Sequence, residues 1–238
     1  MLIHVGQDRN VAVDLRLAAW LALVAGAVNA AGFRALGYFS ANMTGNLSSL
    51  SDFLALGRVQ VALWFLALIV AFILGAFLSG VLAEIGRKLE IRGIYAFSIL
   101  LEALVLLGLA IADLIWPERL GGGALMICLS ALMGLQNGAT TRISDGRVRS
   151  THVSGIATDI GLEVARLMVA PGRGERRRRQ VMGARLTLHL TTLAAFFLGG
   201  LLGVWGYELA GPLVYAVIAG VLLLLALPAL KSARKVQG

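Results

Sequence analysis

Long apolar stretches alternate with short polar connections along the whole chain. Six windows each hold about 20 mostly apolar residues, the length that an α-helix needs to cross the hydrocarbon core of a bilayer. They cover residues 15–36, 61–85, 94–116, 120–141, 186–205 and 212–230. The first follows a short polar leader and has no small-residue cleavage site, so we expect a retained helix and not a signal peptide.

Two further segments, 39–56 and 150–169, are too polar to face lipid at low cost. Their polar side chains are Asn42, Thr44, Asn46, Ser48, Ser49, Ser51 and Asp52 in the first segment, and His152, Ser154, Thr158, Asp159 and Glu163 in the second. Such segments are tolerated at membrane depth where protein or a water-filled cavity surrounds them. We therefore predict an all-α membrane protein with about six transmembrane helices plus two polar re-entrant or broken segments.

Composition supports the membrane assignment. The chain is 58% hydrophobic and 14% charged with a mean hydropathy of +0.84, which is more apolar than a soluble fold of 238 residues. The net charge of +8 is read as a topology signal, so we expect no nucleic-acid partner. The single Cys128 excludes an intrachain disulfide and a cysteine-rich metal site. We expect no cofactor.

The basic residues predict an orientation. Placing the basic loop 170–185 in the cytoplasm puts both termini there as well, and the inner segments then hold 18 of the 21 Lys and Arg residues. This count holds only if each of the two polar segments leaves the membrane on the side from which it entered.

A single membrane domain over residues 1–238 reads as two similar halves, 15–116 and 120–230. The matching positions are Gly26 with Gly134, Asn29 with Asn137, Arg34 with Arg142 and, after a two-residue gap, Thr44-Gly45 with Ser154-Gly155. Each half has three spans, so the second half starts on the opposite side of the membrane and the repeat is inverted. In inverted repeats, paired discontinuous segments meet near the bilayer midplane and supply binding dipoles to a solute or ion.

The same residues carry a family resemblance. The motifs are Phe39-Ser40-Ala41-Asn42-Met43-Thr44-Gly45-Asn46, Gly134-Leu135-Gln136-Asn137, Thr151-His152-Val153-Ser154-Gly155 and Thr158-Asp159. Together they resemble the YoaK family of bacterial membrane proteins of unknown function, over nearly the whole chain. The resemblance implies the fold and a bacterial inner-membrane location, without a substrate or catalytic residues. That family frequently carries an acidic residue where Asn29 stands, which argues against proton coupling there.

We predict a small-solute or ion transporter or channel whose path is lined by the two Thr/Ser-Gly segments. The predicted path residues are Asn29, Asn42, Thr44, Gly45, Asn46, Asp52, Gln136, Asn137, Arg142, Ser154, Gly155, Thr158 and Asp159. Polar residues inside a membrane usually face the bundle interior, where the asparagines also serve interhelical hydrogen bonds. Gly45 and Gly155 fit a close backbone approach or a helix break.

Charged groups at membrane depth require partners. Arg142 is a candidate partner of Asp52 or Asp159. His189 is a candidate partner of Glu102, although a hydrogen-bonded packing histidine is the favoured interpretation.

Two other function classes stay open. Ser154 and His189 are similar to the pair that an intramembrane hydrolase uses, although the Gly-x-Ser-Gly context is missing. A non-transporting membrane scaffold is the third reading. Gly199 and Gly203 form a Gly-x-x-x-Gly pair that fits close helix packing and also a homodimer.

Overall fold

The computed structural model describes residue 2 and residues 10–91, 93–116, 122–169 and 176–235, with side chains in the last range from 180 to 232. Its regular structure is helical in all of these ranges. The helices are α1 (Val11–Leu36), α2 (Met43–Ala55), α3 (Val59–Lys88), α4 (Ile94–Ile115), α5 (Gly122–Ile143), α6 (Val153–Val169), α7 (Arg176–Ala210) and α8 (Leu213–Lys235). The predicted all-α fold is confirmed. Residues 170–175 of the predicted basic loop lie outside the described residues.

Six of these helices are long and apolar enough to cross a membrane, and they coincide with the six predicted spans: α1, α3, α4, α5, α7 and α8. The two polar segments form the remaining helices, α2 with 13 residues and α6 with 17. At 1.5 Å per residue they are about 20 and 25 Å long, shorter than a hydrocarbon core of about 30 Å. The polar segments are therefore short helices, and the protein is a multi-pass membrane protein.

Each short helix is preceded by a segment that runs back along the long helix before it. The backbone N–H of Ala41 donates to Asn29 Oδ1 at 2.9 Å, seven residues before the end of α1. In the second half, Ser150 Oγ donates to Asn137 Oδ1 at 3.2 Å, six residues before the end of α5. In each half, the segment after the long helix thus runs back about 10 Å from the end of that helix before the short helix begins.

Helix packing follows the internal repeat. The most extensive contacts pair α1 with α7 and α3 with α5; α4 packs on α8, α2 on α3, and α6 on α7. If each helix of one half is replaced by its counterpart in the other half, every pair becomes a pair that is also observed. The α1–α7 pair becomes α5–α3, the α2–α3 pair becomes α6–α7, and the α4–α8 pair is unchanged. Since each half has three spans and one short helix, the halves run in opposite directions and the repeat is inverted.

Equivalent glycines bring the main helix pairs into backbone contact. A Cβ on Gly26 of α1 would overlap the carbonyl oxygen of Phe196 in α7 and lie 2.9 Å from its carbonyl carbon. A Cβ on Gly134 of α5 would overlap the carbonyl oxygen of Phe72 in α3 and lie 2.8 Å from its carbonyl carbon. These sites correspond in the repeat, so the two-fold relation extends to atomic packing.

The Gly-x-x-x-Gly pair of α7 packs inside the protein. An added Cβ on Gly199 would stand 2.7 Å from the carbonyl carbon of Leu23, and one on Gly203 would stand 2.7 Å from Cα of Ala27, both on α1. The close-packing role predicted for these glycines is therefore met within one chain. A homodimer would have to use another surface.

Ion pairs correct two expected partnerships. Arg142 pairs with Glu84 of α3, not with Asp52 or Asp159. Its repeat equivalent Arg34 pairs with Glu208 of α7, the counterpart of Glu84. Because each arginine lies at the end of its helix, the partner comes from the long helix packed beside it.

The candidate pairing of Glu102 with His189 is not formed either. His189 Nδ1 lies 3.1 Å from Glu163 Oε2, in a largely buried pair between α6 and α7. Glu102 is fully buried in α4, and neither of its carboxyl oxygens has a hydrogen-bond partner in the described part of the chain.

Candidate functional site

A cavity of about 1050 Å³ lies where the N-termini of α2 and α6 approach each other. Both halves contribute equivalent residues to its wall. The pairs are Asn29 and Asn137, Ala41 and Thr151, Asn42 and His152, Met43 and Val153, Thr44 and Ser154, and Phe72 and Phe196. The cavity therefore lies on the pseudo-two-fold axis of the repeat, and the two polar motifs meet there.

The first turn of α2 is shaped by its N-cap. Asn42 Oδ1 accepts the backbone N–H of Gly45 at 3.1 Å, a side-chain cap of the usual kind. A Cβ on Gly45 would stand 2.9 Å from Asn42 Cγ, so the cap fits over this turn because residue 45 is glycine. The motif Asn42-Met43-Thr44-Gly45 thus encodes a capped helix start that faces the cavity.

The first turn of α6 repeats this arrangement with a histidine. His152 takes the place of Asn42, and a Cβ on Gly155 would overlap the His152 imidazole. The backbone pattern is shared: the Asn46 N–H donates to Asn42 O at 2.9 Å, and the Ile156 N–H donates to His152 O at 3.0 Å. Both glycines therefore make room for the side chain three residues before them.

Asn29 and Asn137 line the cavity and also hold the returning segments in place. Asn29 accepts the Ala41 N–H, and Asn137 bonds both Ser150 and Thr151 through its side chain. Thr151 occupies the position equivalent to Ala41. The two asparagines therefore position the starts of α2 and α6, in addition to presenting polar groups to the cavity.

The charged side chains of the cavity wall are basic. Those of Arg142 and Arg149 line it, together with the imidazole of His152, and no carboxylate is among the described lining residues. Arg142 shares its charge with Glu84. Arg149 is exposed and makes no ion pair with any described residue.

A second cavity of about 390 Å³ lies beside the first, on the side of α7. Three predicted path residues, Gly155, Thr158 and Asp159, line this smaller cavity, together with His189 of the Glu163–His189 pair. Arg149 and His152 border both cavities. The predicted second-half residues are thus divided between two neighbouring spaces.

Three predicted path residues lie away from both cavities. Asn46 is buried, and its amide nitrogen has no hydrogen-bond partner among the described residues. Asp52 is exposed, ten residues and about 15 Å along α2 from the cap. Gln136 is fully buried, and its Nε2 donates to Leu21 O at 2.8 Å, which ties α5 to α1.

Sequence reasoning missed the aromatic and basic parts of the wall. Phe72 and Phe196 sit in apolar stretches where nothing in the sequence separates a cavity-facing residue from a lipid-facing one. Phe39 and Thr151 had a usable signal, because they open the two polar motifs, and Arg149 falls on Phe39 when these motifs are aligned.

The pair considered for hydrolase chemistry is not assembled. Ser154 lines the main cavity, whereas His189 lines the smaller one and contacts Glu163. Within the described residues, no hydrogen bond joins Ser154 to His189. A serine nucleophile needs such contact with its base.

Comparison with known proteins identifies the family. The chain matches the family described as "Protein of unknown function (DUF1275)" over residues 17–228, nearly its whole length, and it belongs to that family. This agrees with the resemblance to an uncharacterised membrane family that the motifs indicated. No curated protein and no solved structure matches the chain.

Proposed function

We propose that this member of the DUF1275 family is a small-solute or ion transporter or channel of the bacterial inner membrane. The observation that supports it is the cavity of about 1050 Å³ at which the N-termini of two short helices from opposite halves meet. Short helices that end inside an inverted repeat are a recurrent way of building a solute or ion site.

The depth of the cavity supports a path across the membrane. Asn29 lies about 10 Å from the C-terminal end of α1, and Asn137 about 9 Å from that of α5. These two ends are on opposite sides of an inverted repeat, so residues near both asparagines are well inside the bilayer. Polar groups at that depth are costly unless they meet one another, water or a solute.

The proposal places both termini in the cytoplasm, as the distribution of Lys and Arg favours. The test uses single cysteines in a Cys128→Ala background. Leu209→Cys, at the outer end of α7, is expected to react with an impermeant thiol reagent in intact cells, and Lys88→Cys, at the inner end of α3, is expected to react only after lysis. The reverse pattern would invert the orientation.

Transport is tested on the purified protein in liposomes, with a panel of labelled neutral, cationic and anionic small solutes. In the Cys128→Ala background, Ser154→Cys places a thiol in the cavity wall, and Ser51→Cys places one on exposed α2 away from it. Modification with a bulky thiol reagent is expected to stop flux only in Ser154→Cys. Absence of flux for every solute, or equal block in both variants, would overturn the proposal.

A further inference from the structure

The geometry points to a compact anion as the ligand of the main cavity: a halide, a small carboxylate or an inorganic oxyanion. This inference rests on the proposed function, since it assigns a substrate class to the same cavity. Three independent features of the wall support it: backbone donors, a largely buried amide and formal charge.

The backbone donors come from two helix starts. In the described structure, the N–H groups of Thr44 and Ser154, which both line the cavity, have no intramolecular hydrogen-bond partner, whereas the neighbouring N–H groups of Gly45 and Ile156 are satisfied. The positive ends of both helix dipoles point in the same direction as these donors. Anions bind at such termini because the donors and the dipole act together.

The buried amide is that of Asn29. Its side chain is only 8% exposed, and its Oδ1 is taken by the Ala41 N–H. No hydrogen bond joins its Nδ2 to another described residue, and Asn29 lines the cavity. The amide N–H groups are therefore available to a ligand or to water in the cavity.

Formal charge at the wall favours an anion over a cation. The charged lining residues are Arg142 and Arg149, and no carboxylate lies among the described residues of the wall. Two carboxylates come from neighbouring helices. Glu84 pairs with both Arg142 and Arg87, and Asp159 lines the smaller cavity, which Arg149 also borders, but forms no ion pair with Arg149. Arg149 thus places a positive charge at the wall that is not paired with any described residue.

Binding is tested by thermal unfolding of the protein in phosphatidylcholine nanodiscs, because a ligand of the folded state raises the unfolding temperature with its concentration. The probes are sodium chloride, sodium acetate and sodium phosphate, each titrated against sodium gluconate at equal ionic strength; potassium and choline salts test the cation. We expect at least one of the three anions to stabilise the protein saturably, whichever cation accompanies it.

The variants locate the site. Arg149→Gln is expected to weaken anion binding roughly tenfold, as for the loss of one charge-assisted hydrogen bond, and Arg149→Lys should restore most of it. The matched control Arg58→Gln removes an exposed arginine far from the wall, between α2 and α3, and should leave binding unchanged. An equal loss in Arg58→Gln would show that net charge alone is responsible and would overturn the site.

The outcomes separate this inference from the proposed function. Flux of neutral or cationic solutes without stabilisation by any of the three anions would overturn the inference and leave transport standing. Stabilisation by an anion without flux of any solute would sustain the inference and overturn transport. Stabilisation only when anionic phosphatidylglycerol is added to the nanodiscs, with no effect of free anions, would identify a lipid headgroup and overturn binding of a soluble anion.

Discussion

Replacing Gly26 by alanine tests whether the helix pairs depend on backbone contact. The added Cβ would overlap the Phe196 carbonyl oxygen and lie 2.9 Å from its carbonyl carbon, whereas ordinary contact begins at 3.4 Å, so α1 and α7 must separate by at least 0.5 Å. A gap of 0.5–1 Å forfeits about a quarter to a half of the dispersion energy of each contact across it. The obstacle is backbone, so we expect destabilisation near the upper end of the overpacking range, about 3 kcal/mol.

The internal repeat offers an equivalent glycine for a second test of the same contact, and α4 offers a glycine for a control substitution. Gly134→Ala should cost a similar amount, because its Cβ would meet Phe72 in α3 in the same way. Gly108→Ala adds a Cβ to α4 where nothing lies within 4 Å, so it should be neutral or slightly stabilising. The measurement is unfolding of each variant in bicelles by titration with denaturing detergent. Equal stability of Gly26→Ala and Gly108→Ala would refute the close approach.

Three further substitutions probe polar contacts, with the same unfolding measurement. Glu163→Ala leaves the His189 ring without its hydrogen-bond partner in a largely buried site and should cost about 1–3 kcal/mol, while a Glu163→Leu/His189→Leu double variant should recover most of this; a double variant no better than the single one would contradict a paired role. Asn29→Ala removes the acceptor of the Ala41 N–H and should cost about 1–3 kcal/mol; no loss would show that water replaces it. Glu208→Gln breaks the half-exposed pair with Arg34 and should cost less than about 1 kcal/mol, and a larger loss would place that pair out of reach of water.

The spans could be predicted because lipid imposes one requirement on every residue of a long helix. About 20 consecutive apolar residues satisfy it, so α4 and α8 could be predicted without knowing which helices pack beside them. The short helices were recognisable for the opposite reason: the polar runs around Thr44 and Ser154 cannot face lipid. The contacts of each polar residue could not be predicted in this way, because they depend on the helix packed beside it.

The residues that lie away from the site illustrate this limit. Asp52 shares a polar segment with Asn42, but three turns of α2 separate them, and only the N-terminal turn reaches the cavity. Asp159 lies one turn beyond Gly155, on a face of α6 that borders the smaller cavity. The polarity of a whole segment does not distinguish residues that lie on different turns or faces of its helix. It also cannot identify Phe196, which lines the cavity but comes from a distant part of the chain.

The same geometry explains why the repeat was only partly visible in the sequence. Gly134 follows Gly26 by 108 positions, Gly155 follows Gly45 by 110, and Gly199 follows Gly75 by 124. The increase in spacing from 110 to 124 residues arises between the start of α6 and the middle of α7. There the second half has more residues than the first half both in its short helix and between that helix and the middle of the long helix that follows. That added length includes the arginine run at 176–179. A comparison at one offset therefore finds only α1 against α5. Aligning α3 with α7 requires the contacts that Gly75 makes with Ala131 and Gly199 makes with Leu23, because these contacts repeat although the sequence spacing does not.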